Sequence, residues 1–206
     1  MKTALVKITG TSPYAQSRFH GEEKLPREGS DDYEQRTWPQ KAHVDSEGYI
    51  YIHPLAFKKC IAEAAKYVSL QIPGKGKSTY TKHFQSGVLV LDDCRITGRK
   101  GLLKAEDVNQ DGTGYVGERL FVPADGVAGS GKRVHRLFPV VHNPWTCQVN
   151  FVIVDDIITR DVFSKHLEVA GSLIGVGAFR VRNGGIWGRF QSEILNWQEV
   201  DAEQFA

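Results

Sequence analysis

No stretch of this sequence approaches the run of about 20 apolar residues that a membrane helix needs. The opening MKTALVKITGTSPYAQ also lacks the apolar segment of a signal peptide. Cysteine occurs at 60, 94 and 147 alone, an odd number with no C-x-x-C pair, which excludes a zinc ribbon and a disulfide scaffold. The seven histidines, His20, His43, His53, His83, His135, His142 and His166, are scattered with neither H-x-x-x-H nor H-E-x-x-H spacing, and read as surface or packing residues more than as a nuclease centre. Net charge is only +2, with 26 Lys and Arg against 24 Asp and Glu, which removes any bulk polyelectrolyte argument. The expectation is a soluble protein of a bacterial host cytoplasm, with three buried thiols, no membrane contact, no metal and no cofactor.

What is present is charge sorted by position. Gly74–His83, Arg95–Lys104, Lys132–Arg136 and Arg180–Arg189 carry bases without an acid. Glu22–Glu23, Asp31–Glu34, Glu106–Asp111 and a Glu193–Glu203 stretch collect the acids. Such sorting predicts a basic face and an acidic face, able to guide a polyanion and copies of the chain. The densest signal is Gly171–Phe190, GSLIGVGAFRVRNGGIWGRF, with six glycines, three arginines and no acid. Glycine at that density fits sharp turns or close backbone approach, and arginine forks phosphate oxygens. A glycine-rich core hairpin with solvated arginines is the plainer alternative.

In chain order, alternation in Lys2–Gly10 predicts a strand with Ala4, Val6 and Ile8 on one face. Residues 11–42 have little periodicity and three prolines; their aromatics Tyr14, Phe19, Tyr33 and Trp38 suggest an inserted segment that docks. Gly48–His53 predicts a strand. Pro54 then opens a helix over Leu55–Leu70, with Leu55, Cys60 or Ile61, Ala64 or Ala65, and Val68 inward. Gly87–Ile96 and Arg119–Pro123 predict strands, and Val134–Val141 with Cys147–Val154 a hairpin. Thr159 opens a second helix, Arg160–Leu173; Phe179–Phe190 and Glu193–Val200 complete the sheet. The fold class expected is α+β: a single ferredoxin- or RRM-like domain with an antiparallel sheet, two packed helices, and insertions at about 11–42 and 97–145.

Three motifs mislead. Asp107–Glu118 matches the EF-hand pattern, but a strand follows it and Gly114 stands where a β-branched residue belongs. Gly126–Lys132, GVAGSGK, falls short of a phosphate loop because Arg133 replaces the required Ser or Thr, and Gly76-Lys77-Ser78 lacks the first glycine. Gly175-x-Gly177 follows a helix, the reverse of a dinucleotide fingerprint.

Two stretches carry a family resemblance: Tyr51–Ile61 (YIHPLAFKKCI) at the first helix, and Gly175–Phe190 after the second. Together they resemble the RAMP superfamily of CRISPR proteins, in particular its crRNA-binding backbone subunits. Ser17–Glu23 (SRFHGEE) looks like small proteins of temperate bacteriophages. The resemblance implies an RRM-like fold and a non-catalytic protein that binds single-stranded DNA or RNA, as a homo-oligomer along the strand. Host CRISPR or phage recombination proteins would be its partners. A groove for such a strand needs bases and aromatic platforms. The candidates are Lys75, Lys77, Lys82, Lys132, Arg133, Arg180, Arg182 and Arg189 for phosphates, with Tyr80, Phe84 and Trp187 for stacking. The alternatives are a metal-independent endoribonuclease using His20, His83 and Tyr80, and a protein scaffold or decoy engaging a CRISPR effector.

Overall fold

The computed structural model describes residues 1–108, 114–124 and 131–200. In chain order the elements are β1 (Lys2–Gly10), β2 (Tyr14–Ala15), α1 (Ser30–Thr37), β3 (Tyr51–Ile52), α2 (Pro54–Val68), α3 (Thr81–Gly87) and β4 (Val88–Val90). They continue with β5 (Cys94–Arg95), β6 (Thr97–Gly98), β7 (Gly101–Leu102), β8 (Tyr115–Pro123), β9 (Arg133–Val141), β10 (Thr146–Ile153), α4 (Arg160–Val169) and β11 (Phe190–Glu199). The class is α+β with antiparallel sheets, as expected. The main sheet runs β11-β1-β10, with β4 antiparallel beside β10 and the β6–β7 pair continuing from Thr146. Its path from β1 through α2 to β4, then from β10 through α4 to β11, is β-α-β-β-α-β.

Alternation builds the core. Ala4, Val6 and Ile8 of β1 and Cys147, Val149, Phe151 and Ile153 of β10 lie on one sheet face. Phe57, Cys60, Ile61 and Ala64 of α2 and Phe163 and Leu167 of α4 close over it. At the start of α2 Pro54 takes the first position, and the His53 Nδ1 accepts the Leu55 amide at 3.2 Å. Thr159 caps α4 by accepting the Val162 amide at 3.4 Å. Inward positions differ from expectation at both ends of α2, since Leu55 is exposed and Val68 only half-buried. Phe57, two residues on and so on the opposite side of the helix from Leu55, takes the core place instead.

Four expected elements are corrected. Gly87–Ile96 breaks into β4 and β5, because Asp92 and Asp93 keep the chain at the surface between them. Val134–Val141 forms its hairpin with β8, paired from Tyr115↔Val141 to Pro123↔Arg133, and not with β10. Those strands part at Trp145, which is fully buried against Gly10 and donates its Nε1–H to Ser12 O at 2.8 Å. The second helix ends at Val169 and continues as one wide π turn, Ala170–Ile174. Phe179–Phe190 is no strand: Phe179, Gly184 and Gly188 all have positive φ, which a strand excludes. The sheet resumes at Phe190.

The hairpin β8–β9 belongs to a second sheet, β2-β9-β8. In 11–42, Tyr14 and Trp38 dock into the core as expected, Trp38 edge-on to Tyr115 at 5.8 Å, whereas Phe19 remains 90% exposed. All three cysteines are free and buried; burial pushes Cys60 and Cys94 up to about 12 and Cys147 well above its ordinary value. No helix among the described residues is long and apolar enough to cross a membrane.

His166 is fully buried on α4, stacked on Phe84 at 4.2 Å, with Nδ1 on the Val162 carbonyl and Nε2 without a partner. Burial holds its pKa below the ordinary histidine value, and half-buried His43 shifts the same way by burial and by the His53 and Arg18 charges. A depressed folded value means that the fold prefers the neutral ring. That contribution is present above the unfolded pKa of about 6.5 and is lost as pH falls from there through the lower folded value. Melting temperature should therefore drop as pH falls below about 6.5, and His166→Phe should shrink the drop. An unchanged drop in that variant would show that other groups govern it.

Candidate nucleic-acid interface

One stripe of α2 faces away from the core. Lys59, Glu63, Lys66 and Tyr67 recur at intervals of four and three, so they share a face, with Lys58 and Ala62 beside them. Against this stripe lies the glycine segment, carrying Arg180 and Arg182. Together with Gln85 of α3 they line an open groove of ≈ 640 Å³. Five cations surround one carboxylate. Arg180 Nη2 meets Glu63 Oε2 at 2.9 Å, and Arg182 Nε meets Glu63 Oε1 at 3.2 Å. A single carboxylate thus orients both guanidiniums while leaving most of their donors open. Lys58 is committed otherwise, donating to the carbonyls of Gln85 at 3.1 Å and Val88 at 3.0 Å. Lys59 and Lys66 are exposed and make no ion pair among the described residues. Tyr67 is 59% exposed at the rim.

The glycine segment is held by its own backbone. Val176 N donates to Gly188 O at 3.0 Å, and Gly188 N to Pro13 O at 2.8 Å. Gly188 has φ +75, and a Cβ there would stand 1.8 Å from Val176 O. Between these bonds the chain makes a short 3-10 turn, Val181–Asn183. That turn, and not the strand alternation first expected, brings Arg180 and Arg182 to the same carboxylate. Phe179, with φ 53, is strained for a bulky residue. Its ring meets Trp187 edge-on at 5.8 Å and Phe138 of β9 at 4.8 Å.

The other candidates disperse. Lys75 and Lys77 are exposed at the tip of the turn closed by Gln71 and Thr79, and Lys82 is exposed on α3 one turn before Gln85. Lys132 and Arg133 lie on the β8–β9 hairpin, where the Arg133 guanidinium covers Phe121 at 5.6 Å. Arg189 is exposed beyond Gly188, its backbone bonded to Thr11 and to Ser12 Oγ. Trp187 is half-buried. Tyr80 and Phe84 are corrected: they are 5% and 0% exposed, core rings packed on His166, and offer no platform. His83 bonds Asp155 at 2.6 Å with Tyr80 beside it, while His20 sits with Tyr33 elsewhere, so the three nuclease candidates do not converge. Burial raises the Asp155 carboxyl, but bonds from His83 and the Ile157 amide outweigh this and leave it below the usual carboxylate range. Asp107 accepts the Lys104 amide at 2.6 Å; residues 109–113 of the EF-hand-like loop and 126–130 of GVAGSGK lie outside the described residues.

Lys58, Lys59, Lys66 and Tyr67 were missed in the sequence. Their signal was there, a helix whose polar face holds three lysines and one glutamate, yet it reads as an ordinary solvated face until Arg180 and Arg182 are placed against it.

No protein-family model matches the sequence, and no curated protein matches it. Solved structures do. The crystal structure of Cmr6 from Pyrococcus furiosus is similar over 93% of this chain and 98% of that chain, at 14% identity and a TM-score of 0.45. A chain of a CRISPR RNA-guided surveillance complex is similar over 81% of this chain and 58% of its own, at 9% identity and a TM-score of 0.29.

Gly184 and Gly188 separate strain from collision. Gly184 has φ +79 with nothing within 4 Å of a Cβ, so Gly184→Ala should cost about 1 kcal/mol and leave the fold intact. Gly188→Val adds the collision with Val176 O and should yield poorly folded protein. Thermal melts of the two variants check this; equal behaviour would refute the packing account.

Proposed function

We propose that this protein binds a single nucleic-acid strand, without cleaving it, in the groove between α2 and the glycine segment. The observation that carries the reading is the cluster of Lys58, Lys59, Lys66, Arg180 and Arg182 around the lone Glu63, in an open groove with Tyr67 at its rim. Phosphates suit such a cluster, and an exposed ring beside it can take a base. The frame is a ferredoxin-like, RRM-type single domain with insertions at about 11–42 and 97–145. In it the strand engages the helical side. The outward positions of the central strands, among them Leu5, Lys7, Gln148 and Val152, hold no aromatic ring. The cell compartment would be the cytoplasm, and copies would assemble along the strand. The edge strand β11 carries Glu193 and Glu199 with no base, a complement to the basic groove of a neighbour.

Affinity for a fluorescent single strand should exceed that for blunt duplex. It should fall with log salt at a slope of about −0.7 per phosphate neutralised. Lys59→Glu with Lys66→Glu should abolish binding and leave the melting temperature nearly unchanged, since neither side chain is paired. Equal or tighter binding to duplex, or a double variant that binds like the parent, would sink the reading. Matched DNA and RNA strands tell which sugar is preferred.

Labelled RNA and DNA should remain intact with and without Mg²⁺. Cleavage lost in His83→Ala or His20→Ala would replace this reading with the endoribonuclease, and absence of all strand binding would leave the protein scaffold.

A further inference from the structure

A second depression, ≈ 470 Å³, lies across the glycine segment from the groove, and the proposed reading does not use it. The insertion builds its wall. β2 pairs with β9 at Tyr14↔Val141 and Ala15↔Val140, after which Gln16 N donates to Pro139 O at 2.9 Å and Arg18 N to Lys41 O at 2.8 Å. That extended run presents Arg18, Phe19 and His20 opposite Tyr33, Arg136 and Phe138. Lys41, at the base, is already neutralised by Glu34 at 2.6 Å. Arg18 and Arg136 are exposed and make no ion pair among the described residues; Arg136 spends only one donor, on Ala124 O at 2.9 Å. Phe19 stands 90% exposed directly after the Arg18 N–Lys41 O bond, a position that burial does not explain.

The two depressions are joined by rings. Arg180 lines the first; Phe179 immediately precedes it, and its ring meets Phe138, which lines the second. Trp187 flanks Phe179, and Ile186 beside it is 74% exposed. Cations on both sides of a partly open aromatic ridge match the alternation of phosphate and base along one unpaired strand.

We propose that a bound strand crosses this ridge and continues into the second depression, where Arg18 and Arg136 take phosphate and Phe19 stacks a base. The proposal rests on strand binding in the first groove and adds a footprint that spans both.

The test is fluorescence anisotropy with thymidine or uridine oligonucleotides of about 5 and about 15 nucleotides, lengths that bracket common single-strand site sizes. The parent should bind the long one more tightly by well over the statistical gain in registers. Phe19→Ala and Arg18→Glu with Arg136→Glu should each retain the parent's melting temperature and lower long-strand affinity by about tenfold or more, towards the short-strand value. Phe19→Tyr, which preserves the ring, should bind as the parent does. If the pocket variants bind the long strand like the parent while Lys59→Glu with Lys66→Glu abolishes both lengths, the second site is wrong and the first stands. If the parent binds neither length, both fall. Loss of long-strand binding that tracks a lowered melting point in every pocket variant, Phe19→Tyr included, would mark these residues as structural and overturn the proposal.

Discussion

The position of the glycine segment hangs from a few backbone hydrogen bonds that only a chain without a side chain at Gly188 can make. The bonds from Val176 to Gly188 and from Gly188 to Pro13 tie the segment after α4 to the end of β1's loop. They hold it so close that its carbonyls occupy the space a Cβ would take. From that anchorage the 3-10 turn throws Arg180 and Arg182 one way, onto Glu63, and Phe179 the other, onto Phe138. With a more flexible attachment, holding an anion would cost the rotational freedom of two long arginine side chains, about 2 kcal/mol of entropy each. Here the shared carboxylate has already removed part of that freedom.

The charge sorting read along the chain becomes a different sorting in space. The glycine segment carries no acid of its own, yet its arginines face one, because α2 supplies Glu63 from the opposite wall. Conversely the lysines of α2, unremarked among ordinary polar positions, become the larger share of the basic groove. Screening weakens contacts of this exposed kind over about 8–10 Å at moderate salt, so the cluster acts on what enters the groove more than on distant charge.

Local rules made β1, the Pro54 start of α2 and the Thr159 start of α4 legible, since each depends on neighbours in sequence: alternation, a proline at the first turn, a capping hydroxyl. The glycines at 185 and 188 were legible as close-contact positions too, and a Cβ on Gly185 would meet Phe179 O at 1.7 Å. Partners were not. Nothing near Val134–Val141 says that it pairs with β8 instead of β10, because both have strand-like sequences and the choice is made by where Trp145 buries. Tyr80 and Phe84 looked available beside lysines, but α4 arrives from much later in the chain to cover them with His166. Aromatic rings near bases are thus poor pointers to a surface until the packing of distant elements is known.

The four tryptophans fall at four separate joints of the molecule. Trp145 is sealed at the junction of β1 and β10, Trp38 plugs the insertion against Gly117, Trp197 leans from β11 on Phe163, and half-buried Trp187 stands in the glycine segment. Trp187 and Trp197 are both half-buried, whereas Trp38 and Trp145 are buried. With Trp197 replaced by Phe, the solvent-sensitive part of the emission speaks for the one indole left at the ridge, and a shift of the whole band speaks for the core. The chain carries its own optical probe of whether that ridge is covered.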